Sequence, residues 1–87
     1  MSAPSDMMKL ADERVARDHI PLGSRWRHFK HGDVYVVDDN VVFEEDYDVL
    51  VIYHREGHPE RKRARRLSVF TDIHPEHGVK RFVCLDG

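Results

Sequence analysis

The sequence predicts an all-β domain, a small barrel or strongly bent sheet of about five short strands, behind a short N-terminal extension. Short runs of β-branched and aromatic residues recur along the chain, and clusters of Gly, Pro, Asp and His separate them. The 87 residues allow one small domain with a thin core, because a chain of this size buries only about 60% of its surface. Length therefore excludes two-domain enzymes, dinucleotide-binding folds and TIM barrels.

The chain divides near residue 20 into an extension, residues 1–19, and a β-domain, residues 20–87. The extension carries a loose helical stripe formed by Met7, Met8, Leu10, Ala11 and Val15. So narrow a stripe is marginal alone, and the segment is therefore either helical and docked or frayed. Pro21 ends any helix, since it disfavours helical geometry in the residue before it.

Each strand of the β-domain is predicted from its own composition. In chain order we expect strands at residues 25–29, at 34–37, at 49–53, within 62–70 and at 79–85. The second of them is interrupted by Asp38-Asp39-Asn40 and resumes at 41–43. An exposed acidic loop is expected at 44–48, and the least ambiguous strand is Val49–Tyr53, which has no polar member.

The formal net charge of -2 conceals a segregation of charges along the chain. Residues 33–48 carry seven carboxylates and no basic residue, whereas residues 54–66 carry six basic side chains and two glutamates. Either the two blocks neutralise each other across neighbouring strands, or the basic block binds a partner.

An ordered series of elements carries a family resemblance: the string Gly23-Ser24-Arg25-Trp26-Arg27-His28-Phe29-Lys30-His31-Gly32, then Tyr35, residues 49–53, Arg65, Leu67 to Phe70 and Arg81-Phe82. Over about residues 21–83 the chain resembles the DUF1653-like family, small bacterial domains of unknown function. The resemblance implies an SH3-like β-barrel and no activity. Two departures are visible: Arg66 stands where the family usually has proline, and segment 54–64 is shorter and more basic.

The aromatic and basic residues of the β-domain predict a non-catalytic binding module for a small ligand or a peptide. Trp26 and Tyr53 belong either to the core or to an open groove, the arrangement with which SH3-like modules hold peptides or methylated side chains. The candidate ligand-binding residues are Trp26, Arg27, His28, Lys30, Tyr35, Tyr53 and Arg65. His28 and Lys30 are included because the family's recurring turn contains them. The carboxylates at 44–46 would suit a cationic ligand beside such a groove.

The basic run at residues 61–66 supports an alternative function, a nucleic-acid-binding module. Its candidate residues are Arg25, Arg61, Lys62, Arg63, Arg65 and Arg66. A strand would divide them between two faces, and either face could neutralise phosphates while aromatic rings stack on bases. Against this alternative, the sequence pI is about 6.4, whereas nucleic-acid-binding domains are usually basic. A solvated edge strand, protected by its charges from aggregation, explains the same run.

A third hypothesis is a small regulatory subunit that docks on a partner through its N-terminal helix, with Met7, Met8, Leu10 and Val15 as contacts. No cofactor is expected. The pairs His74/His77 and His54/His58 lack a companion CxxC, so turn histidines explain them more simply than a metal site.

We expect no catalytic residue, because no nucleophile has a supporting motif, and Cys84 is predicted to be a buried, inert thiol. A single cysteine suits a reducing cytoplasm, and no apolar run is long enough to cross a membrane. The sequence does not indicate the oligomeric state.

Overall fold

The computed structural model describes residues 4–85, with side chains from residue 6 onward. In chain order the elements are α1 (Pro4–Asp18), β1 (Arg25–His28), β2 (Val34–Phe43), β3 (Asp48–Arg55), β4 (Lys62–Arg66), α2 (Leu67–Phe70) and β5 (Phe82–Cys84). The first turn of α1 contains Asp6 and its last turn Arg17, and both charges complement the helix dipole. The N-terminal extension is therefore helical over most of its length.

All five strands form one antiparallel sheet in the order β4-β3-β2-β1-β5. The prediction of about five short strands behind an N-terminal extension is confirmed, and of the two alternatives for the extension, helical or frayed, the structure has the helix. Strands β4 and β5 are the edges, and within residues 4–85 no ladder joins them, so the sheet is not closed. We call the face that carries Val37, Val51 and Tyr53 the inner face, because these side chains are buried, and the other face the outer face.

Strand β2 runs through the acidic segment that the sequence predicts as an interruption. One extra residue, Asp38, makes a β-bulge between Val37 and Asp39, and the pairing with β3 then continues. The amide of Asn40 donates to the carbonyl of Ile20 (2.7 Å), and its side-chain oxygen accepts from the N–H of Ile20 (3.0 Å). The predicted interruption is wrong, because partners distant in sequence hold these strand-poor residues in an extended conformation.

The segment that was expected to contain a strand, residues 62–70, holds a strand only as far as Arg66. The next four residues form α2, whose Leu67 and Phe70 are both buried. Residues three apart share a face in a helix but lie on opposite faces in a strand, so the helical turn lets both side chains enter the core. The last strand is shorter than the predicted 79–85, since only Phe82–Cys84 pairs with β1.

The core lies between the inner face, α2 and the end of α1. It contains Ile20, Val37, Val49, Val51, Tyr53, Leu67, Phe70 and Phe82. The rings of Phe70 and Phe82 stack with their centroids 4.3 Å apart. From α1, Ala11 is buried and Val15 packs against the core. Neither helix in the described part of the chain has the length and apolar character needed to span a membrane.

Candidate functional site

The alternation of β4 divides its basic side chains between the two faces of the sheet. In the register with β3, Arg63 lies opposite the buried Tyr53, so Arg63 and Arg65 belong to the inner face. Lys62 and Arg66 take the alternate positions and belong to the outer face. The four cations of β4 therefore form two pairs with different surroundings.

On the outer face the acidic and basic blocks neutralise each other. The ammonium of Lys62 lies 3.1 Å from the carboxylate of Asp38. The guanidinium of Arg66 lies 2.8 Å from Asp46 and 2.6 Å from Asp48, and its hydrogen bond holds the pKa of Asp48 below the ordinary value. Of the carboxylates at 44–46, which the sequence placed beside a cation-binding groove, Asp46 is engaged in this way by Arg66. The charges of Lys62 and Arg66 are therefore balanced within the protein.

On the inner face a pocket opens between the two edge strands, with a volume of about 200 Å³. The end of β1 contributes His28 to its lining, and the turn that follows contributes Lys30, His31 and Asp33. The strands contribute Tyr35, Tyr53, Arg63, Arg65 and Phe82. Aromatic rings thus form one part of the wall and basic side chains another.

Contacts with buried aromatic residues fix the position of Arg65. Its Nε donates a hydrogen bond to the hydroxyl of Tyr53 at 3.2 Å, and its guanidinium lies 5.8 Å from the centroid of the Phe82 ring. The Tyr53 ring meets that of Tyr35 edge to face at 5.4 Å. The guanidinium is therefore held against the aromatic wall at the open seam between β4 and β5.

A tight turn after β1 places Lys30 and His31 at the rim of the pocket. Gly32 has a φ of +72°, which residues with a side chain rarely adopt, and its N–H donates to the carbonyl of His28 at 3.0 Å. The backbone N–H of Lys30 donates to Nδ1 of His28, so the neutral imidazole carries its proton on Nε2. This geometry directs the 28–33 turn towards the side chains of β4.

The pocket is electropositive. Lys30, Arg63 and Arg65 line it, and the one carboxylate in its lining, Asp33, already lies 3.4 Å from the guanidinium of Arg55. Burial lowers the pKa of His28 first, and the charges of Arg65 and Arg81 lower it further, so its imidazole is neutral near pH 7. This arrangement favours an anion over a cation.

Five of the seven predicted ligand-binding residues line this pocket: His28, Lys30, Tyr35, Tyr53 and Arg65. Trp26 lies on the inner face but packs edge to face on Phe70 at 5.4 Å, and its indole N–H donates to Ser24. Arg27 lies opposite Val34 on β2, which places it on the outer face.

Sequence reasoning missed three lining residues, His31, Asp33 and Phe82, and it assigned a fourth, Arg63, only to the nucleic-acid alternative. The turn signal at 31–33 was the available clue for the first two, because a turn that follows a site strand lies beside the same site. Nothing local in the sequence indicates that Phe82 approaches β4, because that contact follows from the pairing of β5 with β1.

The residues predicted for nucleic-acid binding do not form one surface. Arg63 and Arg65 belong to the pocket, and Lys62 and Arg66 are paired on the outer face. The two others also lie beside carboxylates: Arg25 is 2.6 Å from Glu56, and Arg61 is 3.9 Å from Glu60.

The N-terminal helix contacts its own sheet. Ala11 is buried against it, and Val15 packs on the core, whereas Met7, Met8 and Leu10 are exposed. A second, shallow hollow of about 280 Å³ lies beside this exposed stripe and includes Tyr47 from the β2–β3 turn.

The histidines and the cysteine give no second site. The rings of His74 and His77 lie 4.9 Å apart, but in the described part of the chain no three His, Cys, Asp or Glu side chains could hold a metal ion. Cys84 is exposed, so the prediction of a buried thiol is wrong. The reason is its place on β5, a short edge strand with an exposed neighbour, Val83.

The chain matches no family model, no curated protein and no solved structure. The resemblance to the DUF1653-like family therefore stays a prediction.

Proposed function

We propose that the protein is a non-catalytic binding module whose inner-face pocket holds the anionic end of a small ligand or peptide. The observation that carries this proposal is the charge of the pocket. Three cationic side chains, Lys30, Arg63 and Arg65, line a cavity whose one carboxylate, Asp33, is engaged by a fourth cation, Arg55. Arginine clusters of this kind recognise phosphate and acidic groups in proteins.

The size of the pocket limits what enters it. Sites that enclose a drug-sized ligand usually measure about 300–1,000 Å³. A volume of about 200 Å³ suits one charged group with a short organic remainder. The rest of a longer ligand would extend along the seam between β4 and β5, where the edge strands leave the pocket open.

We further propose that the domain is an SH3-like barrel, left open between β4 and β5. Its support is the strand order, in which β5 pairs with β1 while β1 to β4 form a meander, and the helical turn α2 between β4 and β5. A ligand site at the seam agrees with the use of this fold as a binding module.

The two other hypotheses have less support. A nucleic-acid surface would need many unpaired cations along a strand path, but Lys62 and Arg66 are paired with carboxylates on the outer face. A docking subunit would need the helix stripe to be available, and part of it, Ala11 and Val15, packs against the protein's own sheet and core.

A two-dimensional 15N–1H NMR titration with sodium phosphate at constant ionic strength tests the proposal. Expected shifts cluster on residues 28–35, on Tyr53, on 63–65 and on Phe82. They weaken in Arg63→Gln but persist in Lys62→Gln, a matched loss of one charge on the outer face. Uniformly small shifts, or shifts confined to the outer face, would overturn the proposal. Stronger shifts along residues 61–66 with a single-stranded oligonucleotide would favour the nucleic-acid alternative.

A further inference from the structure

Three cations of the pocket keep hydrogen-bond donors that are not engaged within the protein, unlike the two outer-face cations of β4. Within the described residues, Arg63 and Lys30 have no side-chain hydrogen bond or ion pair, and Arg65 uses only its Nε, on the Tyr53 hydroxyl. By contrast, Lys62 and Arg66 are bound to carboxylates. Hydrogen-bond donors of the pocket are therefore left available to a ligand.

The charge of the lining indicates how much negative charge a ligand should carry. Lys30, Arg63 and Arg65 supply three positive charges, and Asp33, the one carboxylate of the lining, is already paired with Arg55. The pocket therefore carries an excess of more than one positive charge, and a dianion balances more of it than a monoanion does. Nearby cations also stabilise a dianion more than a monoanion of the same shape.

The geometry of the donors suits a tetrahedral group. Arg63 and Arg65 are two positions apart on one strand, so their side chains emerge about 7 Å apart on the same face and can converge on one ligand. Each guanidinium presents parallel N–H groups that match the oxygens of phosphate, and the bond to Tyr53 leaves both Nη groups of Arg65 available. Lys30 approaches from the turn on the other side of the cavity.

We propose that the ligand is a phosphate monoester bound as the dianion, with Arg63 and Arg65 as a guanidinium clamp and Lys30 as the third cation. This inference rests on the proposed function, because it names the anion that the binding pocket prefers. A terminal phosphate presents three oxygens and a charge close to -2 at neutral pH, whereas a carboxylate, a sulfate monoester or a phosphodiester carries a single charge.

Dissociation constants for four small probes test this preference. Methyl phosphate, methyl sulfate, dimethyl phosphate and acetate are titrated at pH 7.5 and constant ionic strength, and binding is read from the amide shifts of the pocket. At this pH methyl phosphate is mainly a dianion, because its second pKa is about 6. We expect methyl phosphate to bind at least about tenfold more tightly than each of the three monoanions.

Matched variants assign the preference to the clamp. Arg63→Gln should remove most of the advantage of methyl phosphate, and Lys62→Gln should change every constant by less than about twofold. Arg63 is exposed, so its replacement leaves the fold intact, and a dispersed spectrum verifies this.

Equal binding of methyl sulfate would overturn the dianion inference and leave an anion pocket. Equal binding of dimethyl phosphate would also overturn it and favour a nucleic-acid backbone. Absence of binding by all four probes would overturn both this inference and the proposed function.

Discussion

Replacement of Phe70 should be the most damaging single change in the protein. Its ring is fully buried and contacts three others, with centroid distances of 4.3 Å to Phe82, 5.4 Å to Trp26 and 5.5 Å to Tyr53. Loss of the ring removes buried apolar surface and leaves a cavity, which costs about 3–5 kcal/mol for Phe→Ala. A domain of 87 residues has a free energy of unfolding of about 4–13 kcal/mol, so Phe70→Ala removes a large share of it.

Urea denaturation followed by tryptophan fluorescence measures this loss. Trp26 is the single tryptophan and packs on Phe70, so its emission reports unfolding of this part of the core. Phe70→Leu retains apolar volume but loses the ring contacts, each worth about 0.5–1.5 kcal/mol, and should cost about 2 kcal/mol. Ser68→Ala, an exposed change in the same helical turn, should stay within about 0.5 kcal/mol. A cost below about 1 kcal/mol for Phe70→Ala would refute the assignment of this ring to the centre of the core.

Three further changes test the turn, the outer face and the clamp. Gly32→Ala should cost about 1 kcal/mol in urea denaturation, because Gly32 has a φ of +72°, and Gly32→Asn should cost less since asparagine tolerates this conformation. Because Arg66 holds the pKa of Asp48 below the ordinary 3.8, the folded state binds fewer protons than the unfolded chain near pH 4. The free energy of unfolding should therefore fall as the pH drops from about 6 to 3, and less so in Asp48→Asn. Tyr53→Phe removes the acceptor of Arg65 and should cost about 0.5–1.5 kcal/mol while weakening the binding of methyl phosphate.

A matched control accompanies the measurement on Tyr53. Tyr35→Phe removes the other tyrosine hydroxyl of the pocket wall but not the hydrogen bond to Arg65. An effect of Tyr35→Phe on binding as large as that of Tyr53→Phe would contradict the positioning role given to Tyr53.

Local composition predicted the elements in which the residues themselves favour the observed secondary structure. Val49–Tyr53 consists of strand-forming residues, and β3 extends from Asp48 to Arg55. The N-terminal stripe likewise indicated a helix as one of two alternatives, the other being a frayed segment, and α1 contains the stripe. In both segments the same structure satisfies local propensity and burial, so no distant partner was needed to decide between alternatives.

Local sequence patterns gave the wrong structure where contacts with residues distant in the sequence determine it. Asp38 and Asn40 are poor strand formers, yet β2 continues through them because Lys62 and Ile20 bind their side chains from other parts of the chain. The turn of α2 depends on a similar effect, since only the assembled core shows that Leu67 and Phe70 point the same way.

The candidate site was partly predictable. Successive side chains of a strand point to opposite faces of the sheet, so Trp26 and His28 lie on one face of β1 and Arg27 on the other. This rule alone would have excluded Arg27 from the predicted groove. The same alternation divides β4, but which of its faces is buried depends on the pairing with Tyr53. The pocket also includes Phe82, which lies near the end of the sequence. It reaches the seam because β5 pairs with β1 at the edge of the sheet.

The pKa of His28, measured by NMR in the free protein and with saturating methyl phosphate, tests the electropositive pocket most directly. Burial and the charges of Arg65, Arg81 and His31 lower this pKa, against the opposing effect of Asp33. The free protein should therefore show a pKa below 6.5, and Arg65→Gln should raise it. A bound phosphate should raise it by about one unit, because the anion stabilises the imidazolium. A free pKa at or above 6.5, or a value that does not change when methyl phosphate binds, would contradict an anion site at this pocket.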